Sequence, residues 1–227
     1  MTDNPIDVSA LTPEAKRALL ARLLMKEAES SAADHPLSHG QRSLWFVHKL
    51  APASAAYTVA YAGRIRGELD VAALERAARA LVDRHPILRT TYTERDGQPV
   101  QLVHPQWPVR IARQPISDPA EVDDWIRAET DRPFDLYTAP PLRLTLLTRA
   151  PDEYVLLLVV HHIAVDFWSI DVILDELRRL YAAQHGGPVP PPPSERYVDY
   201  ADAQDRMLAG PAGEQLWEYW RDRLAGE

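Results

Sequence analysis

Tyr154-Val155-Leu156-Leu157-Leu158-Val159-Val160-His161-His162-Ile163-Ala164-Val165-Asp166-Phe167-Trp168-Ser169 is the most informative stretch of this 227-residue chain. Its first seven residues are continuously apolar and rich in branched side chains. A run of that length predicts a central strand covered on both faces, since a half-exposed strand would alternate with polar residues. Two histidines close the strand. Side chains alternate across a strand, so the two imidazoles leave on opposite faces. An imidazole is largely neutral at pH 7 and can accept a proton from an attacking amine or alcohol. By itself the pair fits a structural role as well as a catalytic one. Asp166 is placed to cap the following helix, to orient a ring or to pair with an arginine. Ser169 stands where that helix is expected to start, which favours capping over nucleophilic chemistry.

Outward from this stretch, helices and strands mix without internal repeat. Downstream, Ile170, Ile173, Leu174, Leu177 and Tyr181 form one helical face. Gly186 to Pro193 reads as a stiff extended connector, because proline fixes φ and removes the N–H. The tail from Tyr197 to Glu227 carries Tyr197, Tyr200, Trp217, Tyr219 and Trp220, aromatics that need a partner surface. Upstream, Leu142 to Thr148 predicts a strand and Pro119 to Asp131 a helix. Ile87 to Thr93 and Gln98 to Val103 flank Asp96-Gly97, a hairpin turn signal. Asp70 caps a helix bearing Leu74, Ala77, Ala78, Leu81 and Val82, stopped at Pro86. Tyr57 to Ile65 looks extended, and Leu37 to Leu50 amphipathic. Thr12 to Ala28 forms a further predicted helix, with Thr12 as N-cap and Pro13 at the first helical position. The small polar residues Glu29 to Pro36 read as a linker, so residues 1–36 form an appendage, either packed on the domain or used for docking.

Composition narrows the function. Hydrophobic residues make up 46% and charged residues 26%, which excludes wholesale disorder. There is no cysteine, so disulfides, thiolate metal sites and cysteine nucleophiles are excluded. The remaining histidines (His35, His39, His48, His85, His104 and His185) have no metal-ligand spacing, and no metal site is expected. A net charge of −8 argues against nucleic-acid binding. No stretch approaches the roughly 18 apolar residues of a membrane span. The acidic N-terminus lacks a secretory signal, so a cytoplasmic location is expected.

Four motifs in order are similar to those of the condensation domains of non-ribosomal peptide synthetases, in the chloramphenicol-acetyltransferase-like superfamily. Ser38-His39-Gly40-Gln41-Arg42-Ser43-Leu44-Trp45 resembles the opening Ser-x-Ala-Gln-x-Arg-Leu-Trp motif. Arg84-His85-Pro86-Ile87-Leu88-Arg89-Thr90 resembles Arg-His-Glu-x-Leu-Arg-Thr. His161 to Asp166 resembles the His-His-x-x-x-Asp-Gly active-site motif. Tyr197-Val198-Asp199-Tyr200-Ala201 resembles Tyr-x-Asp-Tyr-Ala, and Tyr219-Trp220 with Leu224-Ala225-Gly226 resembles the segment after it. Any one is unspecific; together they span residues 38 to 226.

The resemblance implies an α/β (mixed α+β) fold, the N-terminal half of a two-lobed domain, with a mixed sheet flanked by helices. Residues 37–185 would be the N-terminal lobe, and residues 186–227 the Pro-rich connector and the start of the C-terminal lobe. It implies an acyltransferase that joins an acyl donor thioester to an aminoacyl acceptor, both on carrier-protein phosphopantetheine, with no bound cofactor. His162 would be the catalytic imidazole, with His161 and Asp166 holding the loop. Phe167, Trp168 and Ser169 would face substrate, and Arg42 and Arg89 would give structural support. Implied partners are acyl and peptidyl carrier proteins, the missing C-terminal lobe, and an upstream synthase component through residues 12–28. A single lobe lacks half the tunnel wall and is expected to be inactive alone. Two other readings share these residues: a carrier-binding or docking module without catalysis, and an acyltransferase esterifying a soluble alcohol.

The chain departs from the family pattern at three places. Phe167 stands where glycine is most common, Pro86 where glutamate is usual, and Ser43 where the opening motif has arginine. Arg42 is displaced by one residue, about 100° around a helix, which argues against an Arg42–Asp166 pair.

Overall fold

The computed structural model describes Thr12 and residues 32–226. Of the predicted helix from Thr12 to Ala28 only Thr12 falls among these, so the docking expectation for residues 12–28 lies outside the described residues.

Two sheets carry the fold. The larger has the order β2-β7-β6-β5, with β2 at Thr58–Arg66, β5 at Ile111–Pro115, β6 at Leu142–Ala150 and β7 at Glu153–His161. Pairing is antiparallel except between β5 and β6, which makes this the mixed sheet. The smaller is a three-stranded antiparallel sheet of β1 (Ala33–Pro36), β4 (Gln98–Val103) and β3 (Thr90–Arg95), in the order β1-β4-β3. Among the described residues six α-helices flank them: α1 (His39–Leu50), α2 (Val71–Arg84), α3 (Ala120–Asp131), α4 (Phe167–Ala183), α5 (Tyr197–Leu208) and α6 (Pro211–Leu224).

β7 is a central strand, and both its faces are covered. Tyr154, Leu156, Leu158 and Val160 pack with the apolar faces of α2 and α4. Val155 and Leu157 pack with Val122, Trp125 and Ile126 of α3. Val159, further along that second face, joins Trp45 of α1, Tyr92, Phe134 and Ile163. The two helix-covered faces explain the unbroken apolar run. The strand therefore delivers His161 into the α1 core and His162 just beyond the last β pair.

Local chemistry sets several boundaries. Asp70 caps α2, its carboxylate accepting from the Ala73 N–H at 2.9 Å. Asp96 and Gly97 both have positive φ, 51° and 77°, which the two-residue hairpin between β3 and β4 requires. Ile87 to Arg89, expected to begin a strand, instead belong to a 3₁₀ turn, Pro86–Arg89, between α2 and β3. Proline fits the first position of such a turn, where its missing N–H leaves no bond unmade.

The expected linker ends differently. Ala33 to Pro36 form β1, paired with Val100 to Val103 of β4. Nothing in Ala-Asp-His-Pro favours a strand locally; the backbone partner across the sheet decides it. β5 has no counterpart among the expected strands, and its Ile-Ala-Arg-Gln-Pro sequence gains strand geometry from parallel pairing with β6.

The proline connector is tethered. Arg84 donates to the carbonyl of Pro190 at 3.2 Å and also to that of Pro191. The same guanidinium meets Glu176 of α4 at 3.1 Å, and His85 meets that carboxylate at 2.8 Å. Burial pushes the Glu176 carboxyl up, but Arg84 and His85 outweigh it and hold the acid below its ordinary range.

Candidate active site

His161 is buried at 5% exposure. Its Nδ1 accepts the Ile163 N–H at 3.0 Å, so the ring proton sits on Nε2. The edges of His48 and Phe134 meet the ring. Burial, followed by the neighbouring imidazoles of His48 and His162, lowers its pKa from 6.5 to about 4. His161 is thus a neutral support for the turn at Ile163.

His162 is half-buried. Its main-chain N–H donates to the carbonyl of Tyr57 at 2.8 Å, which fixes the backbone where the strand ends. Its Nδ1 contacts the carbonyl of Val165. A carbonyl can only accept, so Nδ1 carries a proton, and in the neutral ring the lone pair is on Nε2. That is the tautomer of a proton acceptor.

Asp166 is the N-cap of α4. Its carboxylate accepts from the Ser169 N–H at 2.7 Å and from the Ser169 hydroxyl at 2.6 Å. These two bonds, side chain first, hold the Asp166 carboxyl below its ordinary pKa. Of the three roles open to it, Asp166 takes capping. Ser169 is the third helical residue rather than the cap; its hydroxyl also receives the Asp166 N–H at 3.3 Å, closing a capping box.

A condensation-domain family model matches residues 31–227. This chain belongs to the condensation domain family. It is 40% identical over 199 residues to one component of the linear gramicidin synthase of Brevibacillus parabrevis, covering 84% of this chain and 3% of that protein. The structure is similar to the X-domain from teicoplanin biosynthesis, at 32% identity and a TM-score of 0.78 over 85% of this chain and 43% of that one. It also shares its fold with the first condensation domain of the calcium-dependent antibiotic synthetase, at 23% identity and a TM-score of 0.76, covering half of that chain. The chain thus spans a few per cent of the synthase and about half of the solved domains.

In this condensation domain, the opening motif joins the histidine loop to the motif at Tyr197. Gln41 of α1 is buried, and its amide donates to the Ile163 carbonyl at 3.3 Å and to the Tyr92 hydroxyl at 3.4 Å. Ser38 caps α1 in a reciprocal box with Gln41, and its hydroxyl lies 2.8 Å from that of Tyr197 in α5. Neither Gln41 nor Tyr197 stands out as a site residue in the sequence. A glutamine on the helix face that also carries Trp45 and His48 is the available signal. Replacing Ser38 with alanine removes the cap and the Tyr197 bond. It should cost about 1–2 kcal/mol, read as a lower urea midpoint with an unchanged m value.

The other expected residues divide. Phe167 and Trp168, in the first turn of α4, are 81% and 79% exposed. Trp168 and Ser169 line an open cleft of about 380 Å³ with Tyr197, Tyr200, His85 and Arg196; Phe167 and His162 do not line it. Arg42 pairs with Asp205 of α5 at 3.0 Å rather than with Asp166, so it supports the α1–α5 contact. Arg89 donates to the carbonyls of Val82, Asp83 and His104 at 2.7–2.9 Å, tying the end of α2 to the end of β4. Among the described residues no group of His, Cys, Asp and Glu is arranged to hold a metal, and no helix is long and apolar enough to cross a membrane.

Proposed function

We propose that this chain is the histidine-bearing lobe of a peptide-synthetase condensation domain, and that His162 Nε2 takes the proton released when an amine attacks an acyl thioester. The observation that carries this reading is the His162 tautomer: Nδ1–H held by the Val165 carbonyl. The amine nitrogen bonds to the thioester carbonyl carbon, and the C–S bond then breaks. The proton lost by the amine passes to Nε2 and is returned to the departing thiolate. A thioester is already activated, so orientation and one proton acceptor supply much of the catalysis. His161, Asp166 and Gln41 position the loop and stay out of the proton path. Both substrates arrive on carrier-protein arms and approach through the crevice that a second lobe would roof.

A second reading is a recruitment module without turnover. The teicoplanin X-domain, 32% identical, is known in complex with OxyB. Phe167 and Trp168 offer two exposed rings beside the loop for such a contact.

The deciding experiment supplies acyl-loaded and aminoacyl-loaded carriers to the chain, alone and with a complementary C-terminal lobe. Intact mass then looks for the condensed product. Condensation by the paired lobes, with none from this chain alone, supports the enzyme reading. Carrier binding with no product from either preparation would replace it with the recruitment reading.

A further inference from the structure

We propose that the cleft at the β5 edge of the larger sheet is a binding site for a small aromatic carboxylate, separate from His162, which does not line it. β5 begins at Ile111, opposite Leu144, so Leu142 and Arg143 of β6 run past the end of the edge strand. The gap opens a cavity of about 510 Å³, within the usual range for small-molecule sites. Its floor reaches the core, because Val82, Leu88 and Leu144 line it while being almost fully buried. Two indoles, Trp107 from the segment before β5 and Trp125 from α3, form part of its walls. Flat apolar rings fit such walls through face and edge contacts.

The charges on the lining do not cancel. Arg110, Arg132 and Arg143 stand against one carboxylate, Glu129. Arg132 and Arg143 share that carboxylate, at 2.6 and 3.1 Å. The guanidinium of Arg143 is pushed below its ordinary pKa, first by burial and then by the charge of Arg132. The Arg110 guanidinium forms no hydrogen bond or ion pair with any described residue. A guanidinium fork matches a carboxylate with two parallel bonds. One free fork beside two indoles fits a monoanion with an aromatic body better than a polyphosphate, which would call for a cluster of free cations. Pro140 lines the same cleft. The carbonyl of the next residue, Pro141, receives the His161 N–H at 3.0 Å, so the site borders the segment that holds the first histidine.

The test titrates the chain with 2-naphthoate and with neutral 2-naphthamide, following tryptophan fluorescence and calorimetric heat. Saturable binding of naphthoate is expected, with the amide at least about tenfold weaker. Arg110→Gln, on the surface and folded by circular dichroism, should weaken naphthoate about tenfold and leave the amide unchanged. Trp107→Ala should weaken both ligands. Equal affinity for acid and amide, an Arg110→Gln variant that binds naphthoate as tightly as the parent, or no saturable binding would each overturn the proposal.

Discussion

Replacing His162 with alanine should lower the condensation rate of the assembled lobes about 10²–10⁴-fold, the span of one general acid–base group. The unfolding midpoint should move little. Among the described residues the half-buried ring bonds only to the Val165 carbonyl, and the backbone at residue 162 is held independently by Tyr57. The loss should fall on kcat, with KM for the loaded carriers near its parent value, because the imidazole handles a proton that exists only once attack begins. His161→Ala makes the opposite pattern: it removes the acceptor for the Ile163 N–H and opens a hole among His48, Phe134 and Tyr57. Stability should fall there first, with activity following it. An equal rate in His162→Ala and the parent would remove the proton-acceptor role.

The second large effect is on stability against pH. His161 titrates at about 4 in the folded chain, against 6.5 as its ordinary value. Between those values the unfolded chain binds a proton that the folded chain refuses. Stability must therefore rise with pH across that window and fall as pH drops from 6.5 toward 4. At about 1.4 kcal/mol per pH unit the full span amounts to about 3 kcal/mol. His48 adds to the same trend, its pKa lowered by burial and partly restored by Asp135. Urea unfolding at pH 4.5 and pH 7 measures the difference. His161→Asn keeps an acceptor near the Nδ1 position and removes the titration, so its two midpoints should lie closer together. A parent midpoint that is flat across the window would show that the ring is not held neutral.

Strong local signals made much of this fold legible. The uninterrupted apolar run of β7, the Asp70 cap and the Asp96-Gly97 turn each specify their element within a few residues, without help from distant chain. β1 and β5 carry no such signal; both are strands because a partner strand satisfies their backbone. The same distinction runs through the candidate site. His161, His162 and Asp166 stand together in sequence and could be marked as a group, with helix capping one of three roles open to the aspartate. Gln41 reaches the Ile163 carbonyl, and Tyr197 the Ser38 hydroxyl, across more than a hundred positions of chain, and only the folded chain shows those partners. Arg42 illustrates the converse: the one-residue offset from the family pattern predicted that it would miss Asp166, and the guanidinium turns to Asp205.

The contact between the Ser38 and Tyr197 hydroxyls bears on how such synthetases are recombined. A chimera spliced within the proline-rich segment at residues 188–193 would take α1 from one parent and α5 from the other. The junction would look innocuous, lying in an exposed stretch without regular structure. It would nonetheless divide the pair that closes the first helix cap against the returning chain, along with the His39 and Arg42 contacts to Asp205. Grafts that keep residues 38–42 and 197–205 from a single source preserve that lock.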